Sequence, residues 1–204
     1  MKFKSKKKTP FYKKKGTWGI LIIVIMVFST VGFMWQGSGM SNQNVKEYNG
    51  HIFSRTAGGW ALKIQGQQLA FENLPQELEN VSIQLSEPLQ SQKIYIADYP
   101  NQTAVNSEYL MSRLGQFLST FNIRPQPACM TEKGCGNIPI VDCRGETPVV
   151  VIQEGEKTSV YSENNCIRIQ GPDSRQATRA TERFMYTSLG IMPGSSTVQT
   201  PINP

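Results

Sequence analysis

Residues 149–189 read VVVIQEGEKTSVYSENNCIRIQGPDSRQATRATERFMYTSL, and the change of pattern inside them decides the fold. Val149-Val150-Val151-Ile152 is a β-branched run of the length of a buried strand. Ser159-Val160-Tyr161 is a second strand, joined to the first as a hairpin around Glu154-Gly155-Glu156. Cys166-Ile167-Arg168-Ile169-Gln170 is a third, stopped by Gly171-Pro172. Asp173 then carries a carboxylate suited to an N-cap, with Gln176 three residues on as the reciprocal partner. The period changes from two to 3.6, and a helix is expected from Ser174 to Leu189, with Gly190 at the left-handed position beyond its end.

Working outward, Leu110, Leu114, Phe117, Leu118 and Phe121 recur at i, i+4, i+7, i+8 and i+11, which predicts an amphipathic helix over 105–121. Asn122, Pro125 and Pro127 stop it and open a cysteine-bearing loop. Ile138 to Val141 is strand-like, Lys93 to Ala97 is a compact strand, and Val81 to Leu85 alternates weakly. His51 to Arg55, Trp60 to Ile64 and Gln68 to Phe71 form a meander, split by Ala57-Gly58-Gly59 and Gln65-Gly66-Gln67. The expected class is α+β, a mixed sheet with two packed helices, preceded by one transmembrane helix. About 140 residues, 50–192, suffice for a hydrophobic core.

The N-terminus supplies the membrane reading. Of 21 Lys and Arg, eight lysines precede Gly16, and no acidic residue occurs before Glu47. The high pI therefore belongs to a tail, and nucleic acid is excluded as a partner on that distribution. GTWGILIIVIMVFSTVGFMW, from Gly16 to Trp35, carries no charge and as a helix spans roughly 30 Å, the thickness of a bilayer's hydrocarbon core. Trp18 and Trp35 stand near its ends, and the lysines before it place the N-terminus in the cytoplasm. Bulky Phe33, Met34 and Trp35 before Gln36 do not resemble a signal-peptidase site, so the segment is read as an uncleaved signal-anchor. The expected organisation is a basic cytoplasmic tail at 1–15, a transmembrane helix at 16–36 and a linker at 37–49. The extracytoplasmic domain follows at 50–192, and a disordered tail at 193–204. The lysines also add attraction to anionic head groups, about 1 kcal/mol each.

Cys129, Cys135, Cys143 and Cys166 all follow the anchor, in a compartment that favours disulfides. Their spacings lack the C-x2-C knuckles of thiolate zinc sites and the C-x-x-C of thioredoxin-like sites. Three pairings are possible. Cys129 with Cys135 needs only the local turn that Gly134 and Gly136 allow, and Cys143 with Cys166 is expected because the intervening hairpin returns the chain.

Catalytic signatures are missing. His51 is the single histidine, no Gly-x-Ser-x-Gly elbow or phosphate loop occurs, and no carboxylates are ordered into a pair. No catalytic residue, cofactor site or metal site is expected. Asn80 and Asn101 stand in N-glycosylation sequons. Arg175, Arg179 and Arg183 share a helical stripe with Arg168 on the strand before it, a row that could grip anions; the preferred reading is a solvent-facing stripe supported by Glu182.

Gly-x-x-Phe before a Trp, Leu-Ala-Phe-Glu-Asn-Leu-Pro-Gln-Glu-Leu-Glu-Asn-Val, Pro-Ile-Val-Asp-Cys, Asn-Asn-Cys-Ile-Arg-Ile-Gln-Gly and Ala-Thr-Glu-Arg-Phe-Met-Tyr-Thr-Ser-Leu-Gly-Ile-Met resemble segments of small uncharacterised archaeal single-pass membrane-anchored proteins. The resemblance spans residues 50–192, implies the same placement and brings no activity. The function expected is a membrane-tethered extracytoplasmic interaction module, a subunit of an envelope complex with a protein partner. An envelope enzyme with a scattered site and a structural cell-surface component are the alternatives.

Overall fold

A computed structural model describes residues 44–85 and 91–194. The basic tail, the transmembrane helix at 16–36, the linker up to residue 43 and the tail from residue 195 lie outside the described residues. Among the described residues, no helix is long and apolar enough to cross a membrane.

The domain is α+β. Strands β1 (Val45–Tyr48), β2 (His51–Thr56), β3 (Gly59–Ile64) and β4 (Gln67–Phe71) form an antiparallel meander in that order. Its first and third turns each have two left-handed residues, Asn49 and Gly50 (φ 48° and 77°) and Gln65 and Gly66 (φ 50° and 82°). That geometry matches the twist of the flanking strands. At the second turn Gly59 is required sterically, because a Cβ there would stand 2.2 Å from the Phe71 carbonyl oxygen.

The expected linker therefore ends early. Val45–Tyr48 is a strand, almost wholly solvent-exposed at the edge of the meander, so it shows none of the alternation that burial imposes. Its one sequence signal is Asn49-Gly50, which closes the hairpin.

A six-stranded sheet holds β5 (Ser82–Gln84), β6 (Lys93–Asp98), β7 (Arg124–Cys129), β8 (Val149–Glu154), β9 (Ser159–Glu163) and β10 (Cys166–Gly171), in the order β5-β9-β10-β8-β6-β7. β6, β7, β8 and β10 run parallel, while β9 and β5 run against them. Helix α1 (Ser107–Thr120) connects the parallel neighbours β6 and β7, and α2 (Ser174–Ser188) follows β10.

Three expectations change here. β7 replaces the loop expected after Asn122, with Pro125 and Pro127 inside a strand. The Arg124 amide bonds inward to Gln92, so alternate positions 125 and 127 turn their nitrogens away from β6, where an edge strand needs no donor. Ile138 to Val141 is not a strand: it contributes a single bridge, Cys129 to Ile140. Nor do β8 and β9 form a hairpin. β10 lies between them, parallel to β8 and antiparallel to β9, and the hairpin is β9–β10, turning at Asn164 (φ 54°).

Strand alternation builds two cores. Ile94, Ile96, Val150, Ile152, Ile167 and Ile169 face the helices and join Phe53, Phe71 and Leu62 of the meander. Ala97, Ala128, Val149, Val151 and Cys166 face the other way, under Met130 and Val141 of the cysteine-bearing loop. α2 therefore lies between the two sheets. Its Tyr186 stacks on Phe71 at 4.2 Å and meets Phe53 edge-on at 5.8 Å.

Candidate functional site

The cysteines pair as expected. Cys129–Cys135 and Cys143–Cys166 are disulfides, with Cα separations of 6.1 and 5.0 Å. Cys143 is brought to β10 by a bond from the Asn165 amide to the Cys143 carbonyl, and the Asn165 carbonyl accepts from the Val149 amide. Asn80 and Asn101 are exposed, and Asn80 Oδ1 accepts from Arg179.

The arginine row does not survive as one surface. Arg175 is exposed, but Arg179 donates to the Glu77 carbonyl at 2.6 Å and Arg183 is only 2% exposed. Arg168 lies on the other face of the sheet, bonded to Glu163, Gln153 and Tyr99. Glu182, expected to support a solvent-facing stripe, is fully buried. The reason is the position of α2: a helix between two sheets is covered on most of its circumference, so its polar residues must find partners inside.

Glu182 finds them. Its carboxylate accepts from the amides of Glu72 (2.5 Å) and Asn73 (2.9 Å), from Asn73 Nδ2 (2.7 Å) and from the Arg113 guanidinium. Arg113 also donates to Glu72 at 2.7 Å and to the Ala70 carbonyl, and Tyr109 Oη donates to Glu72. Burial pushes the Glu182 carboxyl up, against the pull of Arg113 and of the three donors from Glu72 and Asn73. For Arg113, burial acts to lower its pKa, but Glu182, Tyr109 and Glu72 outweigh it and the net direction is up. This network ties the last residues of β4 to both helices, and its groups satisfy one another.

Arg183 is the exception. Nη2 donates to the Pro193 carbonyl at 3.0 Å, while Nε and Nη1 are buried without a partner. Burial lowers its pKa despite the nearby Tyr48 and Glu79. An unpaired buried donor costs about 1–3 kcal/mol. Arg183→Met is therefore expected to leave stability unchanged or raise it by up to about 2 kcal/mol. A urea midpoint that falls by more than the scatter of the measurement would show that this guanidinium is paired after all.

The carboxyl ends of the parallel strands, where open α/β sheets place ligands, are filled by the protein's own bonds. Glu154 accepts from the amides of Thr103 and Ala104, both at 2.6 Å, and Gln102 clamps Ile152 and Glu154 of β8. Asp98 accepts from Ser107, and Ser174 bridges Ala104 and Asn106. This cluster holds the helix starts in place and leaves no free catalytic group among the residues named.

The open feature lies at the other end of the helices. A cavity of about 760 Å³ is lined by Ile64, Leu85, Phe121, Ile123, Phe184 and Leu189, with Gln65 and Ser188 among its polar neighbours. Five of those six apolar side chains are only half-buried, where a core would cover them. Volume and lining fall in the range of binding sites. No protein-family model matches the chain, and no curated protein or solved structure matches it either. The groove therefore rests on its geometry. Sequence reading missed it because it is assembled from five separated segments: the β3–β4 turn, the end of β5, the C-terminal ends of both helices and Ile167 of β10.

Proposed function

We propose that the chain is a membrane-tethered extracytoplasmic interaction module, and that the groove receives the apolar face of an amphipathic segment from a protein partner in the envelope. The observation that carries the reading is the groove itself, an apolar surface left half-covered in a domain whose interior polar groups mostly satisfy one another. Tethering is supported by the uncharged run at 16–36 and the lysines before it, and the extracytoplasmic side by that charge bias and by two disulfides. The resemblance to archaeal membrane-anchored proteins belongs to the same reading. The bilayer and its anionic head groups are the expected partners of the N-terminal tail.

A photoreactive side chain at position 121 of the full chain, irradiated in intact cells, tests it. The expected product is one defined protein adduct that Leu189→Arg abolishes, together with digestion of the domain by protease added outside. Adducts with lipid alone would overturn the partner, and a domain digested only after permeabilisation would overturn the orientation.

A further inference from the structure

The two disulfides differ in what surrounds their outer sulfurs. Cys129 and Cys166 are each 1% exposed, and each pairs with a half-buried cysteine in the loop. At Cys135 no cation among the described residues is in contact with Sγ: the sulfur lies 3.0 Å from the Thr131 carbonyl oxygen, 3.9 Å from that of Lys133 and 3.9 Å from the Thr131 hydroxyl, so the nearest group is a carbonyl. Those partial negative charges oppose a thiolate. At Cys143 the neighbour is a cation, with Arg168 Nη2 at 3.7 Å from Sγ.

Arg168 cannot easily leave that position. It lies two residues beyond Cys166 on β10, so both side chains stand on the same face of the sheet. Its Nε is held by Glu163, and its Nη1 by Gln153 at 2.7 Å and Tyr99 Oη at 3.4 Å. A guanidinium stays charged at any ordinary pH and favours an adjacent thiolate. Glu163, which shares the guanidinium, and Asp142, next in sequence to Cys143, act against this. Arg144 acts with it.

We propose that Cys143 and Cys166 form a thiol–disulfide exchange site, with Cys143 the reacting sulfur, Cys166 the resolving cysteine and Arg168 the positioning residue for the Cys143 thiolate. An external thiolate attacks Cys143 Sγ, a mixed disulfide forms, and the Cys143–Cys166 bond breaks with Cys166 leaving as a thiolate that takes a proton. A second external thiol attacks the mixed disulfide at the external sulfur, and Cys143 leaves as the thiolate beside Arg168. The two external thiols are oxidised to one disulfide and the protein's disulfide is reduced to two thiols. In reverse, Cys143 attacks an external disulfide and Cys166 resolves the adduct. Cys129–Cys135 has no such cation and serves as the internal control.

The full chain in detergent micelles, incubated in a glutathione redox buffer, quenched with acid and mapped, is expected to carry glutathione on Cys143 with Cys166 free. After full reduction, the pH profile of alkylation should place Cys143 at least one unit below the ordinary thiol value of about 8.5, and Cys135 should not fall below it. Arg168→Ala should raise the Cys143 value and slow glutathione attack at neutral pH by about tenfold, while Arg168→Lys keeps most of the effect. Should Arg168→Ala fail to fold, the wild-type map and profile decide alone. Glutathione recovered mainly on Cys166 or Cys135, or Cys143 titrating at or above 8.5, would overturn the proposal.

Discussion

Replacing Arg113 with Met is expected to lower the unfolding free energy of the fragment 44–194 by about 3–5 kcal/mol, as breaking one side of a buried ion pair does. The substitution is nearly isosteric along its stem, so the loss comes from the charge and from the guanidinium's bonds to Glu182, Glu72 and the Ala70 carbonyl. Glu182 is fully buried and keeps three donors from Glu72 and Asn73, but no cation. Glu182→Leu should cost as much for a different reason: the amides of Glu72 and Asn73 lose their acceptor at the end of β4, at about 1–3 kcal/mol each. Glu182→Gln keeps one oxygen, enough for the two Asn73 donors or for the Glu72 amide but not for both, and should cost less than Glu182→Leu. Combining Arg113→Met with Glu182→Gln should therefore cost less than Arg113→Met alone, because no unpaired charge stays inside. Equal and additive losses across the urea series would show that the pair is solvated and holds nothing.

Sequence patterns made the helices and most strands legible, because half-burial writes its period into the chain. Leu110, Leu114 and Phe117 mark α1 within two or three residues of its ends, and Asp173 caps α2 by accepting from the Gln176 amide. The reciprocal half of that cap fails: the Gln176 side chain accepts from Thr158 across the β8–β9 connection instead. β1 and β7 were illegible for opposite reasons. β1 is too exposed to alternate, and β7 carries prolines that read as breakers until its edge position is known.

Sheet order lies further from the sequence still. Val149 to Tyr161 resembles a hairpin locally, yet β10, formed later in the chain, pairs with both strands. Cys143 pairs with Cys166 although β8 and β9 form no hairpin, because the register of β8 beside β10 brings residue 143 back to 166 by another route. The arginine stripe failed because helical spacing gives a face but not what covers it. Arg183 and Glu182 face protein on both sides, and only the placement of the meander over α2 shows that.

That placement makes Tyr186 the second residue whose loss should be severe. Its ring is fully buried, stacks on Phe71 of β4 and meets Phe53 of β2, and its hydroxyl donates to the Asn73 carbonyl at 2.8 Å. Tyr186→Ala removes the aromatic contact between the meander and α2 and is expected to cost about 3–5 kcal/mol. Hydrogen exchange should show β3 and β4 losing protection before β8 and β10, since the six-stranded sheet keeps its own core. Tyr186→Phe leaves the packing intact and should cost about 1 kcal/mol for the hydrogen bond. The same variant separates packing from titration. Burial, with Glu182 nearby, pushes the Tyr186 hydroxyl well above the ordinary tyrosine range, so it stays neutral in the folded chain. A group raised on folding contributes stability that is complete below its unfolded pKa and is lost as pH rises. Between about pH 10 and the onset of general alkaline unfolding, the wild type should therefore lose stability more steeply than Tyr186→Phe. Parallel pH curves for the two proteins would mean that this hydroxyl reaches water and that the meander opens more readily than its packing implies.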